Sequence, residues 1–257
     1  MATDSLVTTT KFTSRESAER ELRVDLAAAF RLAVEFKWHE SVGNHFSASV
    51  SGDGRQFLMN PRWKHFSTVR ASDLQLLDAD DPETMQRANA PDRSAWCIHG
   101  AVHRQAPQAR VLLHCHPPYA TALATLKEPT LLPIDQNTAR FYGIVGVDLA
   151  YGGLADDDAE GARIGAALAR HPILLMGNHG VSVTAPTVAE AFEHLYFLER
   201  ASRTLILAYS TGQPLNVMSE AIAARTAEDW RAYNDSSFAH FEQLKSRLDA
   251  KDASYRE

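Results

Sequence analysis

The chain has 257 residues, a formal net charge of −6, 45% hydrophobic residues and 23% charged residues. That length supports one sizeable domain. The acidic balance with no basic block excludes nucleic acid as an expected partner. No apolar run reaches the ~18 residues needed to span a bilayer, and the polar start "MATDSLVTTTKFTS" does not read as a signal peptide. Two cysteines without CxxC spacing, Cys97 and Cys115, read as reduced core residues, so a cytoplasmic location is expected.

Residues 1–12 read as a flexible N-terminal tail, 13–245 as the domain and 246–257 as a charged C-terminal tail. Thr13 and Glu16 fit a capping box that opens a helix through "ESAERELRVDLAAAFRLAVEFKW". "NHFSASV" and "QFLMN" predict two strands joined by the turn "SGDGR". "STVRASDL" begins another element, and residues 78–93 read as a polar crossing loop. "SAWCIHGAVHRQ" predicts a helix with Ser94 as its cap and Pro107 past its end. "ARVLLH" is a buried strand, stopped by two prolines that favour the start of a helix, "PYATALATL". "GIVGVDLAY" holds a further strand. "DDDAEGARIGAALARH" is an amphipathic helix whose acidic run caps its start. "PILLMGNHGVSVTA" predicts two strands meeting at Gly177–Gly180, and a long helix runs from there to Gly212. The segment from Ser219 is helical in part. Short strands come in hairpins as often as in crossovers, and no GxGxxG follows a strand. The pattern predicts an α/β fold, a three-layer α/β/α sandwich with a largely antiparallel central sheet.

Within "VLLHCHPPY", His114 and His116 are two apart, so a strand projects both to one face. Neutral imidazole is the commonest transition-metal ligand. His179, between "GN" and "G" at a tight turn, is the best third ligand. Three protein ligands leave positions open for water or substrate, the arrangement of a catalytic metal.

These segments, with "GNHFSASV", "FLMNPRWKHFSTVRASDL", "FYGIVGVDLAYGG", "LLMGNHGVSVTAPTVAEAFEHLYFLERA" and "EDWRAYNDSSF", resemble the class II aldolase/adducin family in its own order. The likeness is to the bacterial adducin-like branch. It implies one divalent ion per subunit (zinc, manganese or iron) on His114, His116 and His179, a small-molecule substrate, and a homotetramer with active sites near subunit contacts. It also implies pocket segments carrying the substrate-binding candidates Asn44, Asn60, Arg62, Trp63, Gln136, Arg140 and Tyr142. The proton-handling candidates His45, His65 and His99 lie in the same segments. Arg62 and Lys64 could hold a carboxylate through charge, and Trp63 could stack on an aromatic substrate. The sequence departs from the sugar-phosphate aldolases at one decisive place. Their acid/base glutamate precedes the histidine matched by His99 by four positions, and here that position is Ala95. Their phosphate-binding segment is replaced by "APDRSAW". Loss of CO2 from an oxygen-chelating hydroxy- or oxo-acid needs an electron sink and no base for a carbon-bound proton. A decarboxylase is therefore the expected chemistry. A non-haem Fe(II) oxygenase on the same histidines, an aldolase or epimerase, and a non-catalytic adducin-like module are the alternatives.

Overall fold

The computed structural model describes residues 14–153 and 157–257. The expected tail at 1–12 and the Thr13 cap lie outside the described residues. In chain order the larger elements are α1 (Ser14–Glu35), β1 (His45–Ser49), β2 (Gln56–Met59), β3 (Gln75–Asp78), α2 (Arg93–Gln105), β4 (Val111–Cys115), α3 (Pro118–Ala124) and α4 (Gln136–Ala139). β5 (Val145–Asp148), α5 (Asp158–Leu168), β6 (Ile173–Met176), β7 (Gly180–Ala185), α6 (Val188–Ser210), α7 (Glu220–Ala232) and α8 (Asp235–Lys251) follow.

The seven strands form one sheet in the order β3-β2-β1-β4-β7-β6-β5. The sheet is mixed. The β1–β2, β1–β4, β2–β3, β4–β7 and β6–β7 pairs are antiparallel, and β5–β6 departs from the expectation by being parallel. The reason is local: α5 carries the chain over the sheet between them, and a helical crossover returns a strand in the same direction. Alternation along the strands supplies both faces. Val111, Leu113, Val181, Val183, Ile173 and Leu175 pack under α1, α3, α6 and α8. Leu112, Leu174 and Met176 pack on the opposite face against Ile98 and Val102 of α2 and Ile164 and Leu168 of α5. These are the three layers.

Several local readings need correction. β3 was not recognised, because "QLLD" is too short to show alternation. Asp92 rather than Ser94 caps α2: its carboxylate accepts from the Ser94 N–H at 3.0 Å, and from the Ser94 hydroxyl. The acidic run does cap α5 as expected, Asp157 accepting from the Glu160 N–H. Residues 246–257, expected as a tail, finish α8 and add a short 3-10 turn whose Tyr255 is fully buried in the main core. The Glu257 carbonyl accepts from the Ser72 N–H. Cys97 and Cys115 are buried thiols, as read. Among the described residues no helix is long and apolar enough to cross a membrane.

Candidate metal centre

His114 sits on β4 on the same face as Leu112, the face that α2 and α5 cover. His45 of β1 lies opposite it on one side and Ser182 of β7 on the other. His116 follows the strand end, and His179 lies in the β6–β7 turn. Their ring centroids are 5.2 Å apart for His114–His116, 4.8 Å for His114–His179 and 5.0 Å for His116–His179. One ligand atom from each lies within 4.8 Å of the others.

The hydrogen bonds around them suit a metal. Nδ1–H of His114 donates to the Val181 carbonyl at 3.0 Å, which leaves Nε2 for a ligand bond. Nδ1 of His116 donates to Glu40 Oε2 at 2.6 Å, and its Nε2 is buried with no partner. His179 Nδ1 is likewise buried and unpartnered. Burial, then the neighbouring histidines, holds His114 well below the usual imidazole range. Burial, then His116, pushes His179 down to about 4. The unpartnered ring nitrogens of His116 and His179, beside Nε2 of His114, form a donor set that fits a divalent ion. The backbone is shaped for it: a Cβ on Gly180 would meet His116 Cδ2 at 2.3 Å and the Cys115 carbonyl oxygen at 2.8 Å. Asn178, one residue before His179, takes the left-handed conformation with φ 54°, which asparagine tolerates.

The three histidines line an open cleft of about 670 Å³ with Glu40, Gly43, His45, Arg62, Trp63, Asp92, Tyr151 and others. Arg62 pairs with Asp92 at 3.5 Å and lies 4.3 Å over the Trp63 ring. Trp63 is 61% exposed and holds φ 63°. That conformation costs a bulky L-residue about 1–2 kcal/mol, and such strain gathers at functional sites. Lys64 is drawn away to Asp73 at 2.6 Å.

The remaining candidates are placed differently. His45 reaches the cleft, stacked 4.7 Å from His114. His99 lies one layer behind it, fully buried, with Nε2 2.8 Å from His45 Nδ1. His65 does not line the cleft: its Nε2 meets His39 Nε2 at 3.0 Å and its Nδ1 meets Ser67. Asn44 and Asn60 are buried braces. Asn44 Oδ1 accepts from the Glu40 N–H at 2.7 Å, and Asn60 Oδ1 accepts from the Phe46 N–H at 3.2 Å. Within this chain Gln136, Arg140 and Tyr142 lie away from the histidines. α4 packs on α6 and α7, and the Gln136 carbonyl accepts from Trp230 Nε1. Arg140 is buried between the Phe197 and Trp230 rings and paired with Glu193. Tyr142 lines a separate apolar groove with Leu131, Val147 and Val217. Ala95 is buried among Phe57, Met59, Leu77 and Ala79. Sequence reasoning missed Glu40, Asp92 and Tyr151 at the cleft, and Ser47 and His103 behind it. The latter pair was findable, since Ser47 is two from His45 on a strand and His103 four from His99 on a helix.

Residues 24–206 match the Class II Aldolase and Adducin N-terminal domain, and the chain belongs to that family. It is 33% identical over 215 residues, 82% of this chain and 80% of the other, to a Caulobacter vibrioides protein named for aldolase class 2. Decarboxylase NovR of Streptomyces niveus is 28% identical over 164 residues, 64% of this chain and 60% of its own. A crystal structure of an aldolase II superfamily protein from Pseudomonas syringae superposes with a TM-score of 0.84 at 30% identity, covering 96% of this chain and 98% of that one.

Proposed function

We propose that this protein is a divalent-metal-dependent carbon–carbon lyase, a decarboxylase of an oxygen-chelating hydroxy- or oxo-acid. The carrying observation is the pairing of an open three-histidine cluster with a buried alanine where an aldolase would hold its carboxylate. His114, His116 and His179 would hold the ion, with Glu40 orienting His116. A divalent ion there supplies Lewis acidity toward a carbonyl or hydroxyl oxygen and an electron sink. His45 meets the substrate beside the ion. Arg62 has the planar fork suited to a carboxylate, and Trp63 offers an aromatic face at the cleft mouth. The likeness to a decarboxylase supports this choice over aldol cleavage. Zinc and iron suit histidine donors, and manganese, which favours oxygen donors, would lean more on the substrate's oxygens. A cytoplasmic homotetramer, with neighbouring subunits closing the cleft, completes the reading.

The test has two arms. The purified protein should carry about one divalent ion per chain, and His114→Ala should lose it; full retention sinks the site. Hydroxy- and oxo-acids are then incubated with and without oxygen while CO2 release is followed. Turnover that stops without oxygen assigns the site to an Fe(II) oxygenase instead.

A further inference from the structure

Behind the cleft runs a closed line of buried hydrogen bonds. His45 Nδ1 meets His99 Nε2 at 2.8 Å. His99 Nδ1 meets Ser47 Oγ at 2.5 Å. The same Ser47 Oγ meets His103 Nε2 at 2.8 Å. The line ends there: His103 Nδ1 is buried with no partner, and its ring lies flat on Phe57, 4.3 Å between centroids and 21° between planes. All four side chains lie at most 4% exposed. Among the described residues no carboxylate hydrogen-bonds to any member of the line, so a charged ring there would be buried and uncompensated. Each imidazole is therefore neutral and carries one N–H, and the serine carries one O–H.

Ser47 could accept from both rings, but its buried O–H would then have no acceptor, so with single protons and that O–H in use the line has two polarities. In one, every histidine carries its proton on Nδ1, which strands an N–H at His103 in an apolar contact. In the other, every histidine carries it on Nε2, which strands only a lone pair. Orphaned buried N–H groups are much the rarer of the two. We infer that His103 and Ser47 set the tautomer of His45 through His99, so that His45 presents an Nε2–H donor to the cleft. Tracing the line outward, His103 Nε2–H donates to Ser47, Ser47 O–H donates to His99 Nδ1, and His99 Nε2–H donates to His45 Nδ1. A fixed donor beside the three histidines selects an anionic oxygen, a carboxylate or enolate, over an N–H or ammonium group. That use of the donor rests on the proposed reaction, while the tautomer itself does not. Ser47, His99 and His103 are thus positioning residues, and His45 is the group that meets substrate.

The tautomers are read directly by magic-angle-spinning NMR of the zinc-loaded full chain with labelled histidine, assigned with single histidine variants. The expected result is an Nε2–H form at His45, His99 and His103 alike. An Nδ1–H form at any of the three overturns the inference, whatever the enzyme turns over. In Ser47→Ala the line is cut, so His45 should show both forms while zinc stays bound within about threefold of wild type; a Kd change that small is a fraction of one hydrogen bond. A single unchanged His45 form in that variant removes Ser47 and His103 from control of it. If Ser47→Ala does not fold, the wild-type spectrum still decides the polarity.

Discussion

Gly180→Ala is the sharpest perturbation of the metal centre that leaves all three histidines in place. The added Cβ would stand 2.3 Å from His116 Cδ2, where ordinary contact begins at 3.4 Å, so the ring has to retreat by about 1.1 Å. The other close neighbour, the Cys115 carbonyl oxygen at 2.8 Å, belongs to the paired β4 backbone and cannot take up the strain cheaply. A retreat of that size is half the ~2.0–2.1 Å length of a zinc–histidine bond and breaks it. Loss of an outer hydrogen-bond partner alone costs about 10–100-fold in metal affinity, so loss of the ligand should weaken zinc by at least about 100-fold. The assay is competition against a chelator of known affinity, with thermal melting of both metal-free proteins alongside. Gly177→Ala is the control. Gly177 lies in the same turn, but its Cβ would crowd Leu149 Cα at 3.0 Å and the Asp148 carbonyl oxygen at 3.3 Å at the end of β5 rather than the His116 ring. It should lower stability more than affinity. A Gly180→Ala protein that binds zinc as tightly as wild type refutes the placement of His116 as a ligand.

Four further outcomes follow from the same geometry. Glu40→Ala removes the 2.6 Å partner of His116, and chelator competition should show affinity about 10–100-fold weaker. Trp63→Asn relieves the φ of 63° at a side chain 61% exposed. Melting should rise by a few degrees, about 1 kcal/mol in a chain of this size, while aromatic substrates lose affinity. Ala95→Glu does not create an aldolase: the carboxylate would enter the Phe57–Met59–Leu77 packing, and about 2–4 kcal/mol of stability should vanish in urea melts. Stability should also fall with acid. His45 and His103 titrate near 6.5 when unfolded and near 3 when buried, so the unfolded chain takes up protons first as pH drops. Their contribution is full above pH 6.5 and is lost between 6.5 and 3, at about 1.4 kcal/mol per pH unit for each. A flat urea-stability profile from pH 7 to 4.5 contradicts this.

The three-histidine cluster was legible because strand alternation and a glycine-flanked turn leave marks in a sequence. The layers were legible for the same reason, through Leu112 and Leu113 pointing to opposite faces. Glu40 was not: it is an exposed acid in a loop, with no periodicity, and becomes informative only when His116 is seen beside it. The surroundings of Arg140 were not legible, because its segment was placed by resemblance, whereas its partners, Glu193, Phe197 and Trp230, come from two distant helices. His99 was read as a pocket residue and lies behind one. Helical spacing puts it on the sheet-facing side of α2 but cannot say that His45 stands between it and the cleft.

The face of β1 that carries His45 and Ser47 meets His114 and Leu112 in register. A strand alternates with period two, so a single residue inserted or deleted inside it exchanges one face for the other. The turn at 51–55 can lengthen without touching the cleft, yet one extra residue between His45 and Ser47 would send one of them into the opposite layer. The chemistry of this site is thus phased like a reading frame: tolerant of substitution at many positions, intolerant of a shift by one.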